Sequence, residues 1–386
     1  MPWEDKTVKK TRMEFVSSAV DGEKSISELC REYSITRKTG YKWITRYKNG
    51  ENLSDKSHAA FNTPNKTPDD VEQKILDFRA NHPAWGARKI KRLLEDKGNS
   101  DIPAASTIAD ILKRNHCIEP EESKKHIAYK HFEYSKPNEL WQMDFKGDFG
   151  MLDGNRCHPL TILDDHSRFN LCLEAKDNQQ TGGVVASLNR VFDEYGLPKA
   201  ILCDNGKPWG DSKPGYTLIE LWFMQLNILP IHGRPIHPQT QGKEERFHRT
   251  MKYELLKYVA IQDMKHAQEV FDTWRYEYNY ERPHNSLRLD VPAKHYKASN
   301  IILPSKIMEP DYDSTARLRK VNCKGYISIQ NHRYFLSETF IEKFLEITDE
   351  LDDCIALHYG DFQIAKIDLK EQLFVSKKIY RPSNRR

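Results

Sequence analysis

The chain has 386 residues, and its 60 Lys and Arg residues slightly outnumber its 56 Asp and Glu residues, for a formal net charge of +4. This length is typical of about two to four domains, and no stretch approaches the roughly 18 consecutive apolar residues of a membrane span. The polar N-terminus and the seven scattered cysteines, which form no CxxC pair, disfavour a secreted protein, a disulfide framework and a zinc cluster, and predict a cytoplasmic protein.

The first predicted domain, residues 1–50, has the pattern of a helix-turn-helix. Ser25 and Glu28 form a capping-box pattern before one helix, and Thr36 can cap the next. Residues 36–48 carry five Lys and Arg and no acid, which is typical of a nucleic-acid footprint, although a solvated helix face is the alternative. We predict that four of these side chains face DNA: Arg37, Lys38, Lys42 and Arg46.

The apolar residues of this basic helix predict its inner face. Tyr41, Ile44 and Tyr47 are expected to face the domain core, whereas Trp43 fits core packing and DNA contact about equally well. The polar residues 51–67 that follow are predicted to form a linker.

A second helical domain is predicted for residues 68–116. Its pattern also resembles a helix-turn-helix, but the signal is less specific than in the first domain. Pro68-Asp69-Asp70 is expected to start its first helix, and Ser106 is expected to cap its third. The middle helix is basic, and its cations either hold DNA phosphates or keep a surface helix soluble. The predicted DNA contacts are Arg88, Lys89 and Arg92, with Lys91 beside them. Residues 117–137 are predicted to be a second linker.

Beyond residue 138 the pattern changes to strands. Residues 140–149, 158–165 and 169–174 are predicted to form three meandering strands, 181–195 a crossover helix, and 199–204 a further strand. This order describes a mixed α/β sheet as in ribonuclease H-like folds, and we assign residues 138–296 to a catalytic core.

Two acids stand out in this core. Asp144 lies among Trp141, Met143 and Phe145, where an unpaired carboxylate would be costly to bury and a bound cation would remove that cost. Asp204 ends a strand, where α/β sheets place ligand sites. These two positions predict a third acid near a helix start, and the helix expected at about residues 242–258 supplies it.

At this point several motifs resemble the Asp-Asp-Glu core of retroviral integrases and bacterial insertion-sequence transposases. They are Trp-Gln-Met-Asp-Phe around Asp144, Cys-Asp-Asn-Gly around Asp204, the run from His237 to Arg249, and the tail Tyr-Asn-Tyr-Glu-Arg-Pro-His-Asn-Ser-Leu at residues 278–287. The catalytic Glu of this family is the fourth residue of Gly-x-x-Glu, which corresponds here to Glu245 and not to Glu244. The resemblance therefore implies that the catalytic and metal-binding residues are Asp144, Asp204 and Glu245.

The resemblance also implies a reaction and its cofactor. Phosphodiester transfer develops charge on the attacking and the leaving oxygen, and two Mg²⁺ ions about 3.5–4 Å apart can stabilise both. Carboxylates are the ligands that such hard cations prefer, and Mn²⁺ can substitute for Mg²⁺. Water first frees a 3′-OH at the end of the mobile element, and that 3′-OH then attacks target DNA. Retroviral integrases carry a His/Cys zinc site; no such spacing occurs here, so we predict no zinc.

Further DNA contacts are predicted around the third acid. Arg249 and Lys252 share a helix face with Glu245, although an intrahelical pair between Glu245 and Arg249 is the alternative. Lys243 and three residues of the preceding loop complete the predicted set: His237, Gln239 and Gln241. For the three loop residues, keeping the loop soluble is an equally good interpretation. The charged turn of Asp164, Asp165 and Arg168 is interpreted as structural.

The remaining C-terminal residues predict another fold. Five short β-rich runs between residues 317 and 380 predict a small β-barrel-like domain after a linker. The whole chain is thus predicted to be a multidomain α+β protein.

We interpret the sequence as that of a transposase that binds the terminal inverted repeats of its own element and joins its ends to target DNA. The expected partners are double-stranded DNA and further copies of the chain, at least a dimer, in the bacterial cytoplasm and on the nucleoid, with no membrane. The alternatives are an inactive DNA-binding regulator and a ribonuclease H-like nuclease without strand transfer. The presence of all three acids disfavours the regulator, and two helix-turn-helix units disfavour a general nuclease.

Overall fold

A computed structural model describes residues 8–22, 24–55, 66–99, 101–118, 134–204, 206, 209, 216–233 and 242–382. The chain divides into two compact units, Met1–Lys66 and Thr67–Arg386. Among the described residues, no helix combines the length and the apolarity that crossing a bilayer requires.

The first unit is a three-helix domain made of α1 (Val8–Asp21), α2 (Ile26–Glu32) and α3 (Arg37–Lys48). The predicted capping box is present: the Glu28 amide donates to Ser25 Oγ at 3.3 Å, and the Ser25 amide donates to Glu28 Oε2 at 2.9 Å. Thr36 caps α3 as predicted. A Cβ atom at Gly40 would lie only 2.6 Å from Cys30 Sγ, so the absence of a side chain there allows α3 to pack tightly on α2.

The inner face of α3 differs in part from the prediction. Trp43 is 5% exposed and packs in the core with Ile44, which settles its role as core packing. Tyr41 and Tyr47 are exposed, so their predicted inward position is wrong. For Tyr41 the reason is helical phase, because Gly40, Trp43 and Ile44 face the core at spacings of three and four residues and position 41 falls off that stripe. Tyr47 continues the stripe but lies in the last turn of α3, where it is exposed.

The second unit begins with three helices, α4 (Asp69–Asn81), α5 (Ala87–Asp96) and α6 (Ala105–Arg114). Their shared core includes Ile75, Trp85, Ile90 and Ile108. The predicted start of α4 after Pro68 is confirmed. Ser106 is not the cap of α6, because Ala104 occupies the N-cap position and offers no side-chain hydrogen bond.

A five-stranded mixed sheet forms the centre of this unit. Its strands are β1 (Trp141–Phe145), β4 (Leu160–Asp164), β5 (Asn170–Glu174), β6 (Ala200–Cys203) and β7 (Leu229–His232), in the order β5-β4-β1-β6-β7. A small hairpin of β2 (Phe149–Gly150) and β3 (Arg156–Cys157) lies between β1 and β4 in the chain. The pairs β1/β4 and β4/β5 are antiparallel, whereas β1/β6 and β6/β7 are parallel. This arrangement confirms the predicted ribonuclease H-like core.

Four helices pack with the sheet: α7 (Thr181–Tyr195), α8 (Leu218–Gln225), α9 (Gly242–Met251) and α10 (Met264–Tyr276). The predicted crossover helix α7 is confirmed at its predicted bounds. The helix expected to run to residue 258 is α-helical only to Met251 and continues as a π-helical turn, Lys252–Leu256. Such turns are rare and often occur near functional sites.

The C-terminal residues form a small β-domain, as predicted. Its strands are β8 (Leu318–Lys320), β9 (Tyr326–Ile329), β10 (His332–Phe335), β11 (Phe344–Asp349), β12 (Cys354–Tyr359), β13 (Phe362–Asp368) and β14 (Leu373–Ser376). Five of them pair in the order β14-β13-β12-β11-β8, and β9 and β10 form a separate hairpin. Tyr216, Leu221 and Met224, at and within α8, belong to the core of this domain, so it is fixed to the catalytic sheet.

Glu174, at the end of β5, makes contacts with α7 whose contribution to stability can be measured. Its carboxylate accepts from Ser187 Oγ at 2.6 Å and lies 2.8 Å from Lys176 Nζ and 2.7 Å from Arg190 Nη2. Burial opposes ionisation, but these three donors together lower the pKa of Glu174 to about 2. A carboxyl with a depressed folded-state pKa stabilises the fold above its unfolded pKa and loses that contribution as the pH falls.

Glu174→Gln should therefore lower the free energy of unfolding by about 1–3 kcal/mol at pH 7, since one pKa unit corresponds to about 1.4 kcal/mol. The difference from the wild type should shrink as the pH falls from the unfolded value of 4.5 towards 2. Urea denaturation of both full-length proteins between pH 7 and pH 3 measures it. A difference that stays constant over this range would contradict the prediction.

Candidate active site

The first two predicted acids lie at the same edge of the central sheet. In the parallel pairing of β1 with β6, Trp141 is opposite Ile201 and Gln142 is opposite Leu202. Continuing this register by two residues brings Asp144, in β1, level with Asp204, which directly follows β6.

The third acid, Glu245, is exposed on the first turn of α9, the helix that packs on β1. Burial raises the pKa of Asp144 to about 7, and the charges of Asp204 and Glu245 add to this effect. Asp144 is therefore within electrostatic reach of both other predicted acids.

These carboxylates suit a hard divalent cation, because they are its preferred donors and a positive charge would offset their repulsion. Within the described part of the chain, however, no three His, Cys, Asp or Glu side chains form a ready-made metal cluster. The donor chemistry fits the metal, and the closely grouped ligand geometry is not present.

Glu244, the neighbour of Glu245, has a different environment. It is 0% exposed, and Thr161 Oγ1 donates to its Oε2 at 3.1 Å. Its Oε1 has no hydrogen-bond partner among the described residues. Burial raises the pKa of Glu244 well above its ordinary value, and the charge of Asp144 raises it further. Glu244 is therefore a neutral, inward-facing group behind the carboxylate edge.

His248, also on α9, contacts Thr161 of β4 as Glu244 does. Its Nε2 lies 2.8 Å from Thr161 Oγ1, and its Nδ1 lies 3.9 Å from Asp144 Oδ2. Burial and the nearby Lys146 charge lower the pKa of His248 to about 3, so the imidazole is neutral. Thr161 also donates to the Asp144 carbonyl at 3.0 Å. Thr161 therefore ties α9 to the backbone of the acid in β1.

Asp204 is held by residues that the sequence did not indicate. His232 Nδ1 lies 3.0 Å from the Asp204 carbonyl oxygen, and its Nε2 lies 2.9 Å from Glu220 Oε1. Glu220 is buried and is itself fixed by a capping box with Thr217. Against burial, hydrogen bonds to Cys203 and Glu220 raise the pKa of His232. This Glu220–His232 pair fixes the backbone at the catalytic edge.

The two aspartates of the charged turn after β4 are structural, in agreement with their interpretation. Asp164 accepts from Ser167 Oγ at 2.6 Å and from the Asn138 amide at 2.7 Å. Asp165 accepts from Gln142 at 2.6 Å and lies 2.5 Å from Lys243 Nζ. Lys243 is 9% exposed at its side chain and anchors the first turn of α9, and its predicted DNA contact stays a prediction.

The other predicted DNA contacts differ in accessibility. Arg37, Lys38, Lys42, Arg88, Arg249 and Lys252 are exposed. No ion pair between Glu245 and Arg249 is present among the described residues, so the intrahelical alternative finds no support. The loop residues His237, Gln239 and Gln241 lie outside the described residues.

Three of the predicted DNA-contacting residues instead lie beside acidic side chains of the protein itself. Arg46 is 12% exposed at its side chain, lies 3.8 Å from Glu51 and packs over Trp43. Lys89 Nζ lies 3.4 Å from Glu254 Oε1, and burial lowers its pKa to about 8. Arg92 lies between two acids of different segments, Asp96 and Asp290.

Comparison with known families agrees with this architecture. Integrase core domain families match residues 134–238 and 226–292, a helix-turn-helix domain family matches residues 11–60, and a homeodomain-like domain family matches residues 39–112.

Individual relatives come from bacterial insertion elements. An uncharacterized protein of insertion element IS476 from Xanthomonas euvesicatoria is 25% identical over 61% of this chain and 67% of that protein. Another, of insertion element IS407 from Burkholderia multivorans, is 26% identical over 41% of this chain and 55% of that protein. This chain thus spans only about half of the latter's length.

Among solved structures, the simian T-cell lymphotropic virus intasome in complex with PP2A regulatory subunit B56 gamma aligns over 82% of this chain and 100% of that chain, at 15% identity and a TM-score of 0.38.

The family matches and the insertion-element relatives support DNA transposition or integration in general. The chain therefore carries an integrase core domain together with helix-turn-helix domains, and its resemblance to bacterial insertion-sequence transposases with an integrase-like core is confirmed.

Proposed function

We propose that this protein is a transposase that binds the terminal inverted repeats of its own element, cleaves to free 3′-OH ends and joins them to target DNA. The observation that carries the proposal is that Asp144 lies level with Asp204 at one edge of the sheet and within electrostatic reach of Glu245 on α9. The negative charges of Asp204 and Glu245 oppose ionisation of the buried Asp144, and binding of divalent cations would relieve this cost.

In this proposal Asp144, Asp204 and Glu245 hold two Mg²⁺ ions, for which Mn²⁺ can substitute. When bound, these ions supply charge stabilisation to both the attacking and the leaving oxygen of the phosphodiester. The remaining roles belong to the protein. Thr161 holds the Asp144 backbone, and the Glu220–His232 pair holds that of Asp204.

The DNA is bound by several parts of the chain. The exposed cations of α3 contact the terminal repeat, and exposed cations of α9, with those of the loop before it, contact the DNA end beside the acids. We further infer that the working form is at least a dimer on DNA at the bacterial nucleoid, because an element has two ends and each requires a catalytic site.

A gel assay with the full-length protein tests this function. The substrate is a labelled duplex carrying the inverted repeat that flanks the gene, together with a target plasmid, in Mg²⁺, Mn²⁺ or EDTA. We expect a nick at the repeat end and joined product with either metal and neither product in EDTA. Binding without nicking would identify a regulator instead, and nicking without joining would identify a nuclease.

A further prediction concerns α3. Replacing Arg37, Lys38 and Lys42 by Ala should weaken repeat binding and flatten its salt dependence by up to about 0.9 in slope for each lost phosphate contact. Arg46 is left in place because its side chain is only 12% exposed and lies 3.8 Å from Glu51, so its loss would perturb the fold. Fluorescence anisotropy over a salt series measures both quantities.

The matched control removes the same charge elsewhere, by Ala substitution of Lys24, Lys74 and Lys265, which have exposed side chains. If both triple variants bind the repeat with the same affinity and salt slope, α3 does not contact DNA.

A further inference from the structure

Two cavities open between the α4–α6 helices and the catalytic core. The first has a volume of about 500 Å³ and lies against α5 and α6, and the second has a volume of about 200 Å³ and lies against α9. Lys89 and Asn285 line both cavities. The two cavities are therefore neighbours that reach from α6 to α9, and together we call them the interdomain cleft.

The wall formed by α5 and α6 consists mainly of small side chains. Its small lining residues are Gly86, Ala87, Ala105, Ser106 and Ala109, and Arg88 and Lys89 of α5 line it as well. Side chains of this size leave room for the backbone of another chain to approach the helices closely.

The wall on the core side is strongly cationic. It is lined by Arg168, Lys243, Arg246, Arg249 and Arg282, together with the shared Lys89. Among the described residues that line the two cavities there is no Asp or Glu. Lys89 and Arg282 are paired with Glu254, and Lys243 with Asp165, so two acids behind the wall offset only part of the charge. A cleft with this charge suits a polyanion.

Arg168 adds an independent observation. Its φ of +64° is in the left-handed region, which costs a non-glycine residue roughly 1–2 kcal/mol. The strained turn places this arginine in the lining of the cleft. Backbone strain of this kind is often concentrated at binding sites.

Polar contacts join the α4–α6 helices to the core. Lys89 pairs with Glu254 at 3.4 Å, Arg92 with Asp290 at 3.4 Å, and His82 Nδ1 lies 3.1 Å from Glu277 Oε1. The side chains of Lys89 and Glu254 are only 13% and 9% exposed, so solvent screens this contact little. The α4–α6 helices are therefore docked on the core in a fixed position.

The cleft also borders α9, the helix that carries Glu245. Arg246 directly follows Glu245, and Arg249 lies about one helical turn beyond it, a rise of roughly 5–6 Å. A strand lying in the cleft would thus pass next to the first turn of α9.

We propose that the interdomain cleft seats the sugar-phosphate backbone of the DNA strand that is cleaved. The small residues of α5 and α6 admit the strand, and the arginines of the core wall pair with its phosphates. The α4–α6 helices then act together with the catalytic core on one strand, and do not read a separate stretch of the repeat on their own. This inference rests on the proposed transposase function.

The test blocks the cleft without altering its charge. Ser106→Trp places a bulky neutral side chain on the exposed surface of α6 inside the cleft, and Gln73→Trp places the same side chain on α4, outside the lining. We expect Ser106→Trp to reduce nicking of the labelled repeat end by at least about tenfold, because a small displacement of the strand strongly slows the reaction. Gln73→Trp should remain within about twofold of the wild type, and both variants should melt at the wild-type temperature. Wild-type nicking by Ser106→Trp would overturn the inference.

A second measurement does not depend on activity. A protein carrying the photocrosslinker p-benzoylphenylalanine at position 106 is irradiated with the labelled repeat end in EDTA. The cleaved strand should be crosslinked within a few nucleotides of the repeat end, and the same group at position 73 should give no crosslink there. Absence of the crosslink at 106 would overturn the inference. If the wild type does not nick DNA, the proposed function fails, and the crosslink still decides whether the cleft binds the strand.

Discussion

Asp144→Asn should abolish nicking and joining together while repeat binding stays near the wild-type level. Asn has nearly the same size, but its neutral amide is a weak ligand for Mg²⁺. Metal ions contribute several kcal/mol to stabilisation of the transition state, so both steps should fall by at least about 1000-fold. Binding should persist because it is assigned to helices that do not include this residue. One gel assay of binding, nicking and joining on a labelled end measures all three.

Asp148→Asn is the matched control. Asp148 lies four residues beyond Asp144, is more exposed and pairs with Arg156 at the surface, so the same substitution there should leave both steps intact. Joining that survives Asp144→Asn would exclude Asp144 as an essential ligand. Lost binding would show that the catalytic core, and not α3, anchors the DNA.

Local signals made much of the fold predictable from the sequence. The capping box of Ser25 and Glu28, the Thr36 cap and the apolar spacing of α7 each depend on residues within a few positions of one another. The motifs around Asp144, Asp204 and Glu245 are local in the same sense, and two of these acids lie within electrostatic reach of the third, Asp144.

The elements that the sequence did not indicate have identifiable reasons. β7 contains Pro230, which normally disfavours a strand and is tolerated here because β7 lies at the edge of the sheet. α10 is not among the predicted elements, although the sequence carries its signals. Asp263 caps it, and Ala267, Phe271 and Trp274 are spaced along its buried face.

The supporting residues of the site could not be predicted, because their contacts join distant parts of the chain. His232 reaches the Asp204 carbonyl across the β6–β7 pair, and Thr161 reaches α9 from β4. The interdomain cleft has the same origin, since Lys89 and Glu254 meet only through the docking of two separately folded elements.

A large loss of nicking and joining is also expected when the third acid is replaced, and this acid should be Glu245 and not Glu244. Glu245 is exposed on α9 and its charge acts on Asp144, whereas Glu244 is fully buried against Thr161 and His248. Glu245→Gln should therefore remove a metal ligand and reduce nicking and joining by at least about 1000-fold, as Asp144→Asn does. Its melting temperature should not fall, because the side chain is exposed.

Glu244→Gln should have the opposite profile, with nicking and joining within about tenfold of the wild type. The raised pKa of Glu244 means that this carboxyl is already neutral in the folded protein, and Gln is a neutral group of similar shape. A raised folded-state pKa stabilises the fold only at low pH, and this contribution is lost as the pH rises above the unfolded value of 4.5. Gln cannot ionise, so the variant should gain stability relative to the wild type between pH 5 and pH 8.

The two variants are compared in the same gel assay and by urea denaturation across that pH range. Loss of activity in Glu244→Gln with normal activity in Glu245→Gln would show that Glu244 is the third ligand and that α9 rotates when metal binds. If Glu244→Gln is instead less stable than the wild type at pH 8, the buried carboxyl is ionised in the folded protein. Thr161 and His248 would then contact a negatively charged Glu244 carboxylate, and the inner face of α9 would be part of the anionic site.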